Sequence, residues 1–228
     1  FPIPLDVVYE DKWLIVINKP AGLVVHPAPG HQSDTLVNAI LARWPELRGL
    51  EDRTRLGVVH RLDKDTSGLI VVARDEKTKI ELQRQFKERQ VRKVYLALVK
   101  GEVRPPRGRI EAPIGRDPRH RKKMAVVSGG REAVTEYAVI EYFPGYTFLE
   151  VHPITGRTHQ IRVHFSHKGH PIAGDRVYSR GPSIPGLNRP FLHAYSLTFK
   201  HPATGEEVTF KAPLPPELEE VLRRLRER

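Results

Sequence analysis

The chain reads as an α+β protein, with a mixed, mainly antiparallel central sheet and flanking helices and loops around a cleft. Three observations point there. Strand-like runs outnumber helical ones along the 228 residues. Pro and Gly turn signals separate many of them, which favours antiparallel neighbours over long crossovers. Neither an internal repeat nor a low-complexity linker divides the chain, so residues 1–228 read as one continuous domain.

The elements follow in order. Trp13-Leu-Ile-Val-Ile17 is strand-like and runs into Asn18-Lys-Pro-Ala-Gly22, whose Pro and Gly mark a turn. Asp34 is placed to cap a helix that carries Leu36, Val37, Ile40, Leu41 and Trp44 on one face before Pro45. A loop of Gly49, Glu51, Asp52, Arg53, Thr54 and Arg55 precedes Val58-Val-His60. Leu69-Ile-Val-Val-Ala73 is apolar throughout, as in a strand buried on both faces. Asp75 then opens a polar helix to about Gln90. Val94 to Val99 alternates, with Tyr95, Ala97 and Val99 on one face. Residues 104–130 are basic and loop-rich, and strands follow at Glu132–Glu141 and Thr147–Val151. A helix covers about Thr158 to Lys168, with Gly169 as its C′ residue. Strand pattern returns at Phe191–Phe199 and Glu207–Lys211, and a charged helix follows Pro216.

Composition narrows the function. With 38 Lys and Arg against 27 Asp and Glu, the chain carries a net charge of +11, which favours polyanionic partners. It has no cysteine, which excludes a disulfide framework, a thiolate metal site and a cysteine nucleophile, and fits a reducing cytoplasm. No apolar run reaches the roughly 18 residues of a membrane span. The start, Phe1-Pro-Ile-Pro-Leu-Asp6, lacks the basic and apolar regions of a signal peptide. It also lacks an initiator Met, so a preceding segment is expected.

Chemistry-bearing residues are densest in His60-Arg-Leu-Asp-Lys-Asp-Thr-Ser-Gly68. Strand alternation puts Arg61, Asp63 and Asp65 on one side and Leu62 on the other. A carboxylate set between cations stays ionised, which suits a nucleophile, base or electrostatic stabiliser better than a protonated acid. The plain alternative is a solvated turn in which Asp65 or Thr66 bonds the backbone, and for Asp65 that alternative is preferred.

This segment resembles the H-R-L-D-x-x-T-S-G signature of the RluA/RluD family of pseudouridine synthases. Tyr9-Glu-Asp11 and Ile17-Asn-Lys-Pro-Ala-Gly22 are similar to the family's opening strands. Arg92-Lys-Val-Tyr-Leu-Ala-Leu-Val-Lys-Gly101 resembles its tyrosine motif, and Thr155-Gly-Arg-Thr-His-Gln-Ile-Arg-Val-His164 its arginine motif. Gly169-His-Pro-Ile-Ala-Gly-Asp175 follows as in the family. The resemblance implies the pseudouridine synthase fold and the isomerisation of uridine to its C-glycoside. No cofactor or metal is implied, since nothing is oxidised and no group is lost. It places the catalytic carboxylate at Asp63, and leaves open attack at C1′, attack at C6 or proton removal from the sugar.

The family's tyrosine matches Tyr95, which the resemblance sets against the uracil. A packing role in the core is the alternative. Its carboxylate-pairing arginine matches Arg162. From the residues, Ile161 and Phe165 form an i,i+4 apolar anchor that leaves Arg162 about 100° round the helix, able to reach a cleft at the helix's edge. Arg61 matches the residue that occupies the space of the flipped nucleotide, and flipping is required because the reacting atoms lie inside a stacked helix. Arg157, ahead of the expected cap Thr158, adds charge to a helix N-terminus that suits a phosphate. Arg116, Arg119, Arg121, Lys122 and Lys123 crowd one short segment beside Asp117-Pro118, expected to project as a loop or hairpin. Of these, Arg119, Arg121 and Lys122 are assigned to the RNA backbone. His164, His167 and His170 recur every third position, but no carboxylate completes a zinc pattern, so no metal is expected.

Asp63-Lys-Asp65 and Arg121-Lys-Lys-Met-Ala-Val126 are most similar to the RluD branch. That branch modifies large-subunit ribosomal RNA and usually carries an S4-type RNA-binding domain upstream of the catalytic one, absent from residues 1–228. The resemblance thus implies a ribosomal RNA partner, and a cytoplasmic monomer is expected. Other ribosomal sites or transfer RNA are alternative targets. An RNA-binding module without activity is a different class, disfavoured because Asp63, Tyr95 and Arg162 are all present. A glycoside hydrolase needs two cooperating carboxylates, and Asp63 and Asp65 lie too close together among cations.

Overall fold

The computed structural model describes residues 3–50 and 55–228. The expected loop at Glu51, Asp52, Arg53 and Thr54 therefore lies outside the described residues, as do Phe1 and Pro2. The chain forms two compact units: Phe1–Arg92 with Ala194–Ala212, and Lys93–His193 with Pro213–Arg228.

In the first unit, β1 (Asp6–Glu10), β2 (Leu14–Lys19), β3 (Ser67–Ala73) and β10 (Leu192–Lys200) are neighbours in that order, and β11 (Glu207–Lys211) pairs with β10. The β1–β2, β2–β3 and β10–β11 pairings are antiparallel, and Lys19 stands opposite Gly68. α1 (Leu36–Arg43), a 3-10 turn (Pro45–Gly49) and α2 (Glu76–Lys87) complete the unit. Every residue of β3 is buried, because the sheet has a core on each face. On one face Ile15, Ile17, Ile70 and Val72 pack with Leu36, Val37 and Ile40 of α1. On the other, Leu14, Val16, Leu69 and Val71 pack with Leu82 of α2 and with Leu197 and Phe199 of β10. The unbroken apolar run of β3 thus reflects two cores, one for each alternating set.

Both helix starts in this unit are capped. Asp75 accepts from Thr78 N–H at 2.7 Å and begins α2 where expected. At α1 the cap is Thr35, one residue beyond the expected Asp34, in a reciprocal capping box with Asn38. Asp34 is engaged instead by His31 Nδ1 at 3.0 Å.

In the second unit, β4 (Arg92–Lys100), β9 (Tyr146–Pro153), β8 (Val134–Phe143) and β5 (Arg107–Glu111) are neighbours in that order. The β4–β9, β8–β9 and β5–β8 pairings are antiparallel. Separately, β6 (Ile114–Arg116) and β7 (Met124–Val126) form a hairpin around the cationic segment. The stretch 104–130 therefore holds three short strands, although its polar composition reads as loop. α3 (Gln160–His167) puts Ile161 and Phe165 into a core with Ala97, Val99, Leu149 and Val151, the expected i,i+4 anchor. The opposite set, Leu98 and Phe148, packs with Leu218, Val221, Leu222 and Leu225 of α4 (Pro216–Arg226). Gly169 has φ +81°, the left-handed conformation expected just past α3. The class is α+β with mainly antiparallel sheet, as the sequence implies.

Candidate active site

Asp63 belongs to the first unit, on the segment that enters β3. That segment is fixed on both sides. Ahead of it, Val58 bridges Val72, and His60 Nε2 accepts Val71 N–H at 2.9 Å while its ring stacks on Phe86 at 4.6 Å. Behind it, Gly68 takes φ +123°, and a Cβ there would sit 2.3 Å from the Ala194 carbonyl oxygen. Only glycine lets the backbone of β10 approach so closely.

A third hold comes from Lys19, which the sequence reading does not single out. It is fully buried at the end of β2. Its ammonium donates to the carbonyls of Pro20 at 3.0 Å, Leu23 at 2.8 Å and Lys64 at 2.9 Å. The Lys64 carbonyl also accepts from Gly22 N–H at 2.8 Å. A buried ammonium persists only when its donors are taken up, and here main-chain oxygens do so. The Lys64–Asp65 peptide, one beyond that of Asp63, is thereby clamped to the turn at Asn18–Gly22.

Within the segment, the Asp63 carbonyl accepts Thr66 N–H at 3.1 Å and the chain turns at Lys64–Asp65. Arg61 is exposed, Leu62 buried and Asp63 half-buried, as alternation implies up to that point. Beyond it the turn governs direction, and Asp65 lies exposed rather than in strand register with Asp63. The expected placement of Asp65 beside Arg61 and Asp63 fails for that reason.

The remaining expected site residues belong to the second unit. Tyr95 lies half-buried on β4, opposite Val151, against the core that includes Ala97 and Leu149. Arg162 is in the first turn of α3, and its side chain is only 9% exposed. Nε and Nη2 donate to Asp175 at 2.7 and 3.2 Å, and the Asp175 side chain is fully buried. Asp175 Oδ1 further accepts from Val177 N–H at 2.9 Å and Tyr178 N–H at 3.2 Å. The Tyr178 ring lies against the guanidinium, 5.0 Å from Cζ to centroid. One edge of the Arg162 fork is therefore fixed by a buried carboxylate and one face is covered by an aromatic ring.

The start of α3 is not built as expected. His159, not Thr158, is the N-cap residue, in a left-handed conformation (φ 58°) without a side-chain cap bond. The carbonyl oxygen of the Gln160 side chain instead ties the preceding segment to the helix start, accepting from Arg157 N–H at 3.0 Å and from the Thr155 hydroxyl at 2.6 Å. Arg157 Nε donates to the Glu132 carbonyl at 2.7 Å. Beside it, Lys93 Nζ lies 3.5 Å from the Thr155 carbonyl. Burial pushes the Lys93 ammonium down to about 8, and the charge of Arg157 adds to the shift.

Arg119, Arg121 and Lys122 are exposed at the tip of the β6–β7 hairpin. Asp117 Oδ1 accepts Arg119 N–H at 2.9 Å, and Arg116 Nη1 donates to the Arg121 carbonyl at 2.9 Å, which shapes the tip. Of the histidines spaced by three, His164 is buried between the Thr135 hydroxyl at 2.7 Å and the Ala112 carbonyl at 2.9 Å. His170 Nδ1 lies 2.8 Å from the Lys100 carbonyl. These contacts are structural. Among the described residues, no helix is long and apolar enough to cross a membrane.

Lys19, Asp175 and Tyr178 are the site-building residues the sequence reading missed. Lys19 and Asp175 stand inside quoted motifs, but their partners are revealed only by tertiary structure.

Comparison with known proteins bears on both units. Residues 13–167 match the family described as RNA pseudouridylate synthase. An uncharacterized RNA pseudouridine synthase of Chloroflexus aurantiacus is 56% identical over all of this chain and 74% of its own length. Ribosomal large subunit pseudouridine synthase D of Neisseria meningitidis is 49% identical over 99% of this chain and 62% of its own. Among solved structures, human RNA pseudouridylate synthase domain containing 4 aligns with a TM-score of 0.78 at 31% identity, covering 97% of this chain and 93% of that one.

Proposed function

The chain belongs to the RNA pseudouridylate synthase family, and from that premise we propose that it isomerises specific uridines of large-subunit ribosomal RNA, with Asp63 as the reacting carboxylate. The reaction breaks the N1–C1′ bond, turns the uracil and joins C5 to C1′. The hydrogen on C5 is lost and one is gained at N1, so atoms balance without any co-reactant. The ribosomal target is supported by the 49% identity to the Neisseria meningitidis enzyme. A cytoplasmic location follows from that substrate.

The observation that carries the Asp63 assignment is the clamp on its segment. Lys19 and Gly22 both donate to the Lys64 carbonyl, one peptide from Asp63. A carboxylate that must meet a sugar carbon or base carbon has to be held in place before substrate arrives, because misplacement by about 1 Å costs on the order of a hundredfold in rate.

The other roles rest on the family resemblance of the motifs that carry them. Arg162 pairs with the reacting carboxylate, with the Nε–Nη2 edge of its fork anchored on Asp175. Tyr95 lies against the uracil and assists the proton transfer from C5. Arg61, exposed next to the carboxylate segment, fills the space that the flipped nucleotide leaves. Arg157, Arg119, Arg121 and Lys122 contact phosphates. The chain acts as a monomer, and in the whole protein an S4-type domain ahead of residue 1 aids target finding.

Mapping pseudouridines across ribosomal RNA from cells with and without the gene tests this reading. Loss of one or more large-subunit pseudouridines is expected. An unchanged ribosomal map with losses in transfer RNA would transfer the same chemistry to that substrate.

A further inference from the structure

Tyr178 joins two parts of the second unit that serve different purposes. Its hydroxyl accepts Met124 N–H at 2.9 Å and lies 2.7 Å from His159 Nδ1. Met124 opens β7, directly after the cationic tip of the hairpin, so this bond pins the foot of the loop that carries Arg119, Arg121 and Lys122. Its ring faces the other way in function: it lies against the Arg162 guanidinium and packs beside Met124, Val126 and Val163. Its own backbone is fixed, since Asp175 accepts Tyr178 N–H at 3.2 Å and the Tyr178 carbonyl accepts the Ser166 hydroxyl at 3.2 Å.

Two features show that this arrangement is specified rather than incidental. His159 holds a left-handed backbone that non-glycine residues rarely adopt, and there it meets the Tyr178 hydroxyl. Asp175 serves the guanidinium and the Tyr178 peptide with the same carboxylate, so ring and cation are placed by one group.

We infer that Tyr178 is a positioning residue with two separable duties: its hydroxyl sets the RNA-binding hairpin, and its ring sets Arg162 for the reaction. The inference rests on the reading above, in which the hairpin tip touches RNA and Arg162 takes part in catalysis. Each duty belongs to a different part of one side chain, which makes them separable by substitution. A merely structural tyrosine would lose both together.

The test compares Tyr178→Phe and Tyr178→Leu in single-turnover isomerisation of a ribosomal RNA fragment, with RNA affinity measured separately. Tyr178→Phe keeps the ring and loses the hydroxyl, so affinity should weaken roughly fivefold, the value of one or two hydrogen bonds, with less than about a twofold change in rate at saturating RNA. Tyr178→Leu also removes the ring, so the saturated rate should fall roughly tenfold or more, as for loss of a desolvated cation–π contact. Circular dichroism at the assay temperature establishes that each variant is folded. If Tyr178→Leu does not fold, Tyr178→Phe decides alone, and a rate that falls in step with affinity overturns the inference. Full saturated rate in a folded Tyr178→Leu, alongside an inactive Arg162→Met, overturns the inference and leaves the proposed function standing. An active Arg162→Met removes the catalytic duty and the assignment of Arg162 together.

Discussion

Replacing Lys19 by Met should unclamp the Asp63 segment without emptying the site, since Met fills a similar volume. The wild-type ammonium serves three carbonyls at 2.8–3.0 Å in a fully buried position. In the variant, the Lys64 carbonyl keeps Gly22 N–H as a donor, while those of Pro20 and Leu23 lose the ammonium. Leaving the buried Leu23 acceptor and the part-buried Pro20 acceptor without this donor costs about 2–4 kcal/mol. The desolvation of the ammonium, now removed, offsets part of that. A net loss of about 2 kcal/mol is expected, a drop of about 4–8 °C in Tm for a chain of this size. The protein should still fold, because native stabilities run about 5–15 kcal/mol. Turnover should fall more than stability implies, by roughly a hundredfold, because the peptide beside Asp63 has lost one of its two clamps. RNA affinity should hold, since Lys19 is buried away from any polyanion. Thermal unfolding and single-turnover rates on the same preparation, at a temperature well below the lowered Tm, check this. A variant with wild-type Tm and wild-type rate would show that the carboxylate segment does not depend on Lys19, and the reasoning from the clamp would fail.

Three further outcomes are expected. Arg162→Met should abolish most activity and destabilise the protein by roughly 3 kcal/mol or more, because the buried Asp175 carboxylate loses its guanidinium; a folded variant that keeps the wild-type rate would detach Arg162 from the reaction. Changing Arg119, Arg121 and Lys122 together to Ala should flatten the slope of log affinity against log salt by roughly two and spare the saturated rate, whereas parallel lines with equal intercepts would mean the hairpin never touches RNA. Lys93 is held at about 8 against a usual 10.5, so the folded state binds fewer protons than the unfolded one between those values and stability rises with pH there. Lys93→Met should be more stable than wild type below pH 8, with the gap closing by pH 10.5; a gap independent of pH would show that its charge is not strained by burial.

Much of this was legible in the sequence, and the reasons for the failures are specific. The apolar run at Leu69–Ala73 announced a strand with a core on each face, and Asp75 announced the start of α2. The Ile161–Phe165 pair fixed how α3 packs, and the crowded cations marked an exposed hairpin tip. Caps were off by one residue where two candidates adjoined: His31 draws off Asp34 and leaves the box to Thr35, and the left-handed His159 displaces Thr158. Alternation misplaced Asp65 because a turn begins one residue after Asp63. Lys19 was invisible as a clamp, since a lysine ending an apolar strand reads as solvated and its acceptors are backbone atoms. Asp175 was likewise hidden, because its guanidinium partner lies thirteen residues earlier, on α3.

Asp63 carries the proposed chemistry. Single-turnover isomerisation by Asp63→Asn, measured beside RNA affinity and thermal stability, tests it directly. The rate should fall by more than about a thousandfold, or roughly 4 kcal/mol of barrier, while binding and folding stay close to wild type. A variant that keeps about a tenth of the wild-type rate would contradict the assignment and turn attention to Asp65.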